Sequence, residues 1–358
     1  IPDLLVHEER LDIDGEARGP TAEFFNFIGQ SPVHAMIGDF TADMQAAGNG
    51  RLGLKLSIPM RHNKDSKVAG VFQFMNNRIV AGPDMPALEQ VNGRLEFSET
   101  GVRVQNISGQ LLGGPMALSA ITQKDGTVRV TAQGGVSAAG LRKAFDNVLL
   151  RPLQGATDWH GVITLRNNLA DIDIESSLRG MASDLPAPFA KKASEALPLR
   201  IERKTSQSAA GVQQEIISVN SQIFSALLLR SGDAKQTRFE RGAIGFGVKP
   251  ELPSQSGLWL NGTLRHVDLD QWRSLLAQDG GSGPPLLAGA DIGFGSVDVF
   301  GKRFNALHVS AVAQDEGWQA SLRGKELSGD VTWKPAAGGE GRNHGKVTGR
   351  FKTLAIPE

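Results

Sequence analysis

VAGVFQFMNNRIVAGPDMPALEQVNGRLEFSETGVRVQNISGQLLGGPM, residues Val68 to Met116, decides how the chain folds. Phe72 and Phe74 alternate with Val71, Gln73 and Met75. Asn76-Asn77 reads as a turn, because Asn tolerates left-handed backbone and bonds its own main chain. Leu95 and Phe97 alternate with Arg94, Glu96 and Ser98. Glu99-Thr100-Gly101 then turns the chain back into Val102 and Val104, which alternate with Arg103 and Gln105. Period-two alternation marks strands with one apolar and one polar face. Water takes the polar face. What covers the apolar face is the question for the whole chain.

The same grammar extends on both sides. Upstream, a strand-like run surrounds Leu11 and Ile13. Thr21 is positioned to cap a short helix, TAEFFNFIGQ, with Phe24, Phe27 and Ile28 on one face. AMIGDFTADMQAAGNGRLGLKLSIPM then reads as a hairpin turning at Gly48-Asn49-Gly50, with Leu52, Leu54, Leu56, Ile58 and Met60 alternating. Downstream, Asp125-Gly126 is a two-residue turn signal between apolar runs. Ser137 to Leu150 reads as an amphipathic helix with Leu141, Phe145 and Val148 buried. Gly161-Val162-Ile163-Thr164-Leu165 restarts the layout of Gly70-Val71-Phe72-Gln73-Phe74, which reads as a weak internal repeat. ADIDIESSL, LPLRIERK, QQEIISVNSQ and AIGFGVKP follow as strands, and Asp268 can cap a helix at 268–278. Gln278 to Pro285 is the clearest loop. Strands then run to the end, with a Gly-rich loop at Ala336 to Asn343. Four segments result: a module at 1–154, a second at 155–278, a linker at 279–285 and a strand module at 286–358.

The expected fold is mainly β, with roughly 20 antiparallel strands and a few short helices. Side by side at about 4.8 Å, such strands make a sheet on the order of 100 Å long. Open twisted sheets of that size curl, split or close.

Composition narrows function. The chain has 358 residues, with 38 Lys plus Arg against 38 Asp plus Glu. This balance gives no electrostatic case for nucleic acid. With no cysteine, disulfides and thiol catalysis are out, and a metal site would need His and carboxylate ligands. No run approaches the roughly 18 apolar residues of a spanning helix. The chain begins at Ile1 without an initiator methionine and is read as a piece of a longer protein.

Catalytic constellations do not emerge. The seven histidines fall outside metal-ligand spacing. Asp171, Asp173 and Glu175 alternate with Ile172 and Ile174 and read as a solvated strand face. Asp12-Ile13-Asp14-Gly15 has the start of a calcium loop and nothing of its remainder. GGVSAAG is too long for a nucleophile elbow, and GAIGFG has the wrong glycine spacing for a phosphate loop. Lys191-Lys192 and Arg200 to Lys204 read as solvated basic runs. The expectation is a protein that is not an enzyme, with no cofactor and no metal.

Several segments, in order, resemble the AsmA-like superfamily of Gram-negative envelope proteins, and most closely its YhdP branch. They are FFNFIGQSPV, AAGNGRLGLKLSIPM, GVFQFMNNRIV, VNGRLEFSETGV, GQLLGGPMALSA, DLPAPFAKKASEALPLRIE, GLWLNGTLRHVDLDQWRSLL, GWQASLRGKELSGDVTW and VTGRFKTLAIP. The resemblance implies a bridge-like lipid transfer protein, anchored in the inner membrane through parts outside this piece and reaching across the periplasm. Antiparallel repeats would curl into a long groove, apolar inside and polar outside, that passes phospholipid acyl chains towards the outer membrane. The residues expected to line it are Leu54, Leu56, Ile58, Phe72, Phe74, Leu95, Phe97, Val102, Val104, Val128, Val130, Ile163, Leu165, Ile172 and Ile174. Aspartate at both Phe72 and Phe97 is then expected to block lipid passage and leave the strands intact. The same rows could instead fill a β-sandwich core, making the protein a non-enzymatic envelope scaffold or assembly factor.

Overall fold

The computed structural model describes residues 10–30, 44–59, 66–82, 85–166, 169–208, 211–233, 237–277, 287–314, 317–334 and 345–356. The first half of the expected 35–60 hairpin, the 279–285 linker and the whole 336–343 loop lie outside them. The chain forms two compact units, one of Ile1–Phe145 with Gly155–Ser177, the other of Asp146–Gln154 with Leu178–Glu358.

The first unit contains β1 (Arg10–Pro20), α1 (Thr21–Gln30), β2 (Gln45–Pro59), β3 (Lys67–Val80), β4 (Leu88–Ser98), β5 (Gly101–Leu111), β6 (Gly114–Thr122), β7 (Val128–Ser137) and α2 (Ala138–Ala144). It continues with most of β8 (Leu153–Arg166) and with β9 (Leu169–Ser176). Each strand from β1 to β9 pairs antiparallel with the next, so within the unit the sheet is an up-and-down ladder. The turns at 99–101 and 125–126 form where the sequence places them. At the second, the Gly126 N–H donates to the Gln123 carbonyl at 3.0 Å and the Thr127 N–H to the Asp125 carboxylate at 3.0 Å.

Two expected turns are not turns. Gly48-Asn49-Gly50 lies inside β2, and Asn76-Asn77 inside β3. The left-handed Asn76 (φ 55°) makes a bulge in β3, facing Gly48 (φ 98°) of β2, where no residue is inserted; Gln90 (φ 53°) in β4 and Asn106 (φ 60°) in β5 also make bulges. A bulge needs the same positive φ as a tight turn, so local sequence does not distinguish them. Its effect is different: the extra residue reverses the alternation. Phe72 and Phe74 are buried at even numbers, and beyond the bulge Asn77 and Ile79 are buried at odd ones. Val104 and Ile107 repeat the switch in β5.

The bulge also anchors α1. The Asn77 amide donates to the Thr21 hydroxyl at 2.6 Å and to the Ala47 carbonyl at 3.1 Å, and its carbonyl accepts from the Met75 N–H at 2.7 Å. Thr21 and Asn77 are fully buried. The Thr21 hydroxyl therefore ties the helix to β3, a role that differs from the expected cap. Phe24 is buried on the sheet while Phe27 is 51% exposed; the Ile28 side chain lies outside the described ones. The helix expected at 137–150 is also shorter. Ser137 caps α2 by accepting from the Gly140 N–H, and a separate 3-10 turn spans Val148–Leu150. Val148 is buried, but Phe145, at the end of α2, is 44% exposed, which corrects the expected stripe.

The second unit contains β10 (Met181–Ser183), β11 (Leu199–Gln207), β12 (Gln213–Ser221), β13 (Ser225–Gly232), β14 (Thr237–Phe246), β15 (Gly257–Asp268), α3 (Leu269–Leu276), β16 (Leu287–Val299), β17 (Lys302–Gln314), β18 (Gly317–Arg323), β19 (Leu327–Lys334) and β20 (Lys346–Leu354). From β11 to β20 each strand pairs with the next. The order is mostly antiparallel, as expected, and only the β14–β15 and β15–β16 pairs among these described strands are parallel. Parallel neighbours need a crossover connection, and α3 lies in the second one. Asp268 caps α3 as read, accepting from the Gln271 N–H at 2.9 Å. Asp270, in the first turn, accepts from the Phe300 N–H at 3.0 Å and the Gly301 N–H at 2.8 Å, tying α3 to the β16–β17 turn. These two backbone donors hold the Asp270 carboxyl below the usual carboxylate range.

Two outcomes test these ties. Asn77→Ala strips a buried donor pair from Thr21 and Ala47, and should lower unfolding free energy by about 1–3 kcal/mol in urea denaturation. For Asp270, the folded pKa is depressed, so its contribution is present above the unfolded value near ~4 and is lost as pH falls through the folded one. Asp270→Asn should therefore destabilise at neutral pH, and the gap to the parent chain should close on acidification. A gap that stays constant with pH would exclude the carboxylate as the tie.

Candidate functional site

Residues directly opposite in a ladder point to the same face. In the first unit this rule assembles one row across all nine strands: Ala17, Leu52, Phe72, Leu95, Val104, Ala120, Val130, Ile163 and Ile172. On one side of it Gly15, Leu54, Gly70, Phe97 and Val102 are opposed in turn, and Thr122, Val128, Leu165 and Ala170 carry on the line. On the other side stand Gly50, Phe74 and Gly93, followed by Ile107, Leu118, Ala132, Gly161 and Ile174. Leu56 pairs with Ile13 and Val68, and Ile58 with Leu11. All fifteen residues expected to share a face therefore do share one.

Burial along that face is uneven. Phe72, Phe74, Phe97, Val104 and Val130 are buried; Leu54, Leu56, Leu95, Val102, Val128, Ile163 and Leu165 are half-buried against them. Ile58, Ile172 and Ile174 are half-buried outside that cluster. The centre is filled by protein: Phe24 of α1 meets Phe72 edge-on at 5.3 Å, and Phe72 meets Phe74 at 4.9 Å. Gly50 and Gly70 seat the rings of Phe72 and Phe97, since a Cβ at either glycine would stand inside the ring. Phe72 and Phe97 are thus structural, and charging them would unfold this centre and could not isolate a change in lipid passage.

The opposite face is charged and paired. Arg51 bridges Glu16, Lys55 bridges Asp14 at 3.1 Å, Arg94 bridges Glu96 at 3.2 Å and His160 meets Glu175 at 3.1 Å. Asp12 accepts from Ser57 at 2.6 Å. Asp171 and Asp173 stand opposite Thr164 and Val162 on this face, as the alternation required. Among the described residues no group of three or more His, Asp or Glu could hold a metal ion, and no helix is long and apolar enough to cross a membrane.

The second unit repeats the device. Ile201, Val219, Ala226, Ile244, Leu260, Ala290, Ala311, Ala320, Val331 and Gly349 form a row across β11 to β20. Near one end, Phe189 packs against Phe224, Phe246 and Trp272, with centroids 5.7–6.4 Å apart. Sequence reasoning missed a charged cluster on this face. Glu215 is buried, with Arg230 at 3.3 Å and Arg203 at 3.9 Å. Arg203 belongs to the run read as solvated, yet its side chain is only 22% exposed. The available signal was parity: Arg203 has the odd number of Ile201, so it shares that residue's face. Lys191 also departs from the surface reading, since its ammonium donates to the Met181 carbonyl at 2.7 Å and burial pulls its pKa down.

A cleft of about 730 Å³ is lined by Asp184, Asp268, Asp270 and Asp298 with Lys302 and Arg303. Its acids are already engaged. Asp298 receives a two-pronged bond from Arg303 at 2.7 and 2.8 Å, which holds its carboxyl low, while Asp268 and Asp270 bind backbone N–H groups. Both units therefore carry apolar rows on one face, and their polar groups are largely spent on one another.

Comparison with known proteins agrees with that chemistry. A curated relative is the intermembrane phospholipid transporter YhdP of Escherichia coli (strain K12), 21% identical over 271 residues. Those residues are 73% of this chain and 21% of the relative, so the chain spans about a fifth of that protein's length. No solved structure matches. The family model described as YhdP protein matches residues 1–358, the whole chain, and the chain belongs to that family.

Proposed function

We propose that this chain is a segment of a phospholipid conduit, which shields acyl chains against the apolar rows while its charged face meets water. The observation that carries the reading is the alignment of apolar residues into rows that cross every strand of the first unit, with the charges confined to the other face. A row of this kind offers no single tight site. Each buried methylene is worth about 0.8 kcal/mol, so a chain on such a track competes with the same chain in a bilayer. Movement then requires only that neighbouring positions be alike. Nothing in this task calls for a catalytic group, a cofactor or a metal.

On this reading the segment works in the periplasm, as part of a longer protein that spans between inner and outer membrane. Phospholipid is its cargo, which is also what the name of the E. coli relative states of that protein. The half-buried positions at β8 and β9 are the open part of the track, and the filled centre under α1 braces it. That filled centre is the one observation favouring a scaffold with an ordinary core.

Native mass spectrometry with lipid extraction separates the two. The chain, purified from a Gram-negative host without detergent, should carry phospholipid. Ile172→Asp with Ile174→Asp places charge on the open part and leaves the Phe24–Phe72 centre alone. Bound lipid should fall about tenfold or more, since each step of 1.4 kcal/mol is tenfold in affinity. The far-UV circular dichroism should not change. A lipid-free parent chain, or equal lipid in parent and variant, would count against the conduit.

A further inference from the structure

The face that carries the second unit's apolar row turns polar within two residues along β11 and within four along β12 and β13. Ile201, Val219 and Ala226 are opposed in one row, and Arg203, Ile217 and Leu228 in the next. Thr205, Glu215 and Arg230 form the row after that. Successive rows are two residues apart, about 6.6 Å along a strand. An amphiphile lying along the strands would thus meet aliphatic side chains first and guanidinium groups next.

The charges in that polar end do not balance. Glu215 is the one carboxylate on this face of the three strands among the described residues, and its side chain is 7% exposed. It accepts from the Thr237 hydroxyl at 2.9 Å and from Gln213 at 3.3 Å, and pairs with Arg230 at 3.3 Å. Arg230 also donates to the Thr237 carbonyl at 3.0 Å. Arg203 stands 3.9 Å from Glu215, outside hydrogen-bond reach, and its Nε–H is buried without an acceptor. One carboxylate therefore faces two guanidinium groups, whose side chains are 22% and 23% exposed. A part-buried cation left over beside Ile201, Ile217 and Leu228 is costly unless an anion joins it.

We infer that Arg203 and Arg230, braced by Glu215, bind the phosphate group of a phospholipid whose acyl chains lie on the adjacent apolar row. This rests on the conduit reading and gives it a headgroup station. A phospholipid's phosphate carries at least one negative charge, enough to offset the guanidinium that Glu215 leaves unmatched. Its oxygens suit the planar guanidinium fork, which a lysine ammonium does not reproduce.

Isothermal titration calorimetry on the whole chain tests this with three soluble probes: dihexanoyl phosphatidic acid, dihexanoylglycerol and inorganic phosphate. Phosphatidic acid should bind more tightly than either of the others. Arg203→Gln should weaken it about tenfold and leave dihexanoylglycerol unchanged, as expected for loss of charge-assisted bonds. Arg203→Lys should fall between, and circular dichroism should report an intact fold. Arg200→Gln, on the opposite face of β11, should change nothing. Equal binding of phosphatidic acid by the parent chain and Arg203→Gln would overturn the station while sparing the conduit, provided that dihexanoylglycerol still binds. Inorganic phosphate binding as tightly as phosphatidic acid would make this a free-phosphate site and overturn its lipid assignment. No binding of either acyl probe would overturn the station and the conduit together.

Discussion

Every strand in this chain satisfies its backbone N–H and C=O groups sideways, against its neighbours, and the rest of the structure depends on that pairing. Lateral pairing places opposed side chains on the same face. Once one hairpin sets Phe72 opposite Leu95, the next strand has to set Val104 beside Leu95, and the rows propagate. Apolar surface is thereby gathered into lines across the sheet. Lines of this form have to be covered, because bare apolar area is unfavourable in water. In the first unit α1 and three phenylalanine rings cover the centre, and the flanks at β8 and β9 stay half-buried.

Bulges decide how far a row can run. Three adjacent strands, β3 to β5, each carry a left-handed residue that inserts one position. Without the insertion at Asn76, Asn77 and Ile79 would face the charged side, and Arg78 the apolar one. The bulge therefore corrects an alternation that the sequence itself breaks. It also turns Asn77 inward, where its amide finds Thr21 and holds α1 over Phe72. Local backbone conformation, a buried hydrogen bond and the cover of the apolar face are one linked arrangement.

The second unit uses the same rows with a different order of pairing. Two parallel pairs interrupt its ladder, and the crossover from β15 to β16 carries α3, whose Trp272 packs against Phe189. Its apolar row is rich in alanine, with Ala226, Ala290, Ala311 and Ala320 in place of the phenylalanines of the first unit. The Arg203–Glu215–Arg230 cluster stands at one side of that row.

The β class, the strand segments at Phe72, Leu95 and Val102, the turns at 99–101 and 125–126, and the cap at Asp268 were determined by the sequence. Each depends on side-chain period or on a residue's own backbone preference, and both are local. The shared face of the fifteen apolar residues was also legible, because each lies on a stretch of its strand where alternation holds, with the bulges of β3, β4 and β5 outside those stretches. The tertiary structure alone decided that Asn76-Asn77 is a bulge and that Gly48-Asn49-Gly50 continues β2 opposite it, since a left-handed residue fits a turn or a strand equally and only the partner strand selects. It alone decided the parallel pairs, which depend on which distant strand offers free hydrogen-bonding groups. The burial of Arg203 was likewise hidden. Its position in a basic run suggested solvent, and only the pairing of β11 with β12 and β13 brought Glu215 and Arg230 to the same face.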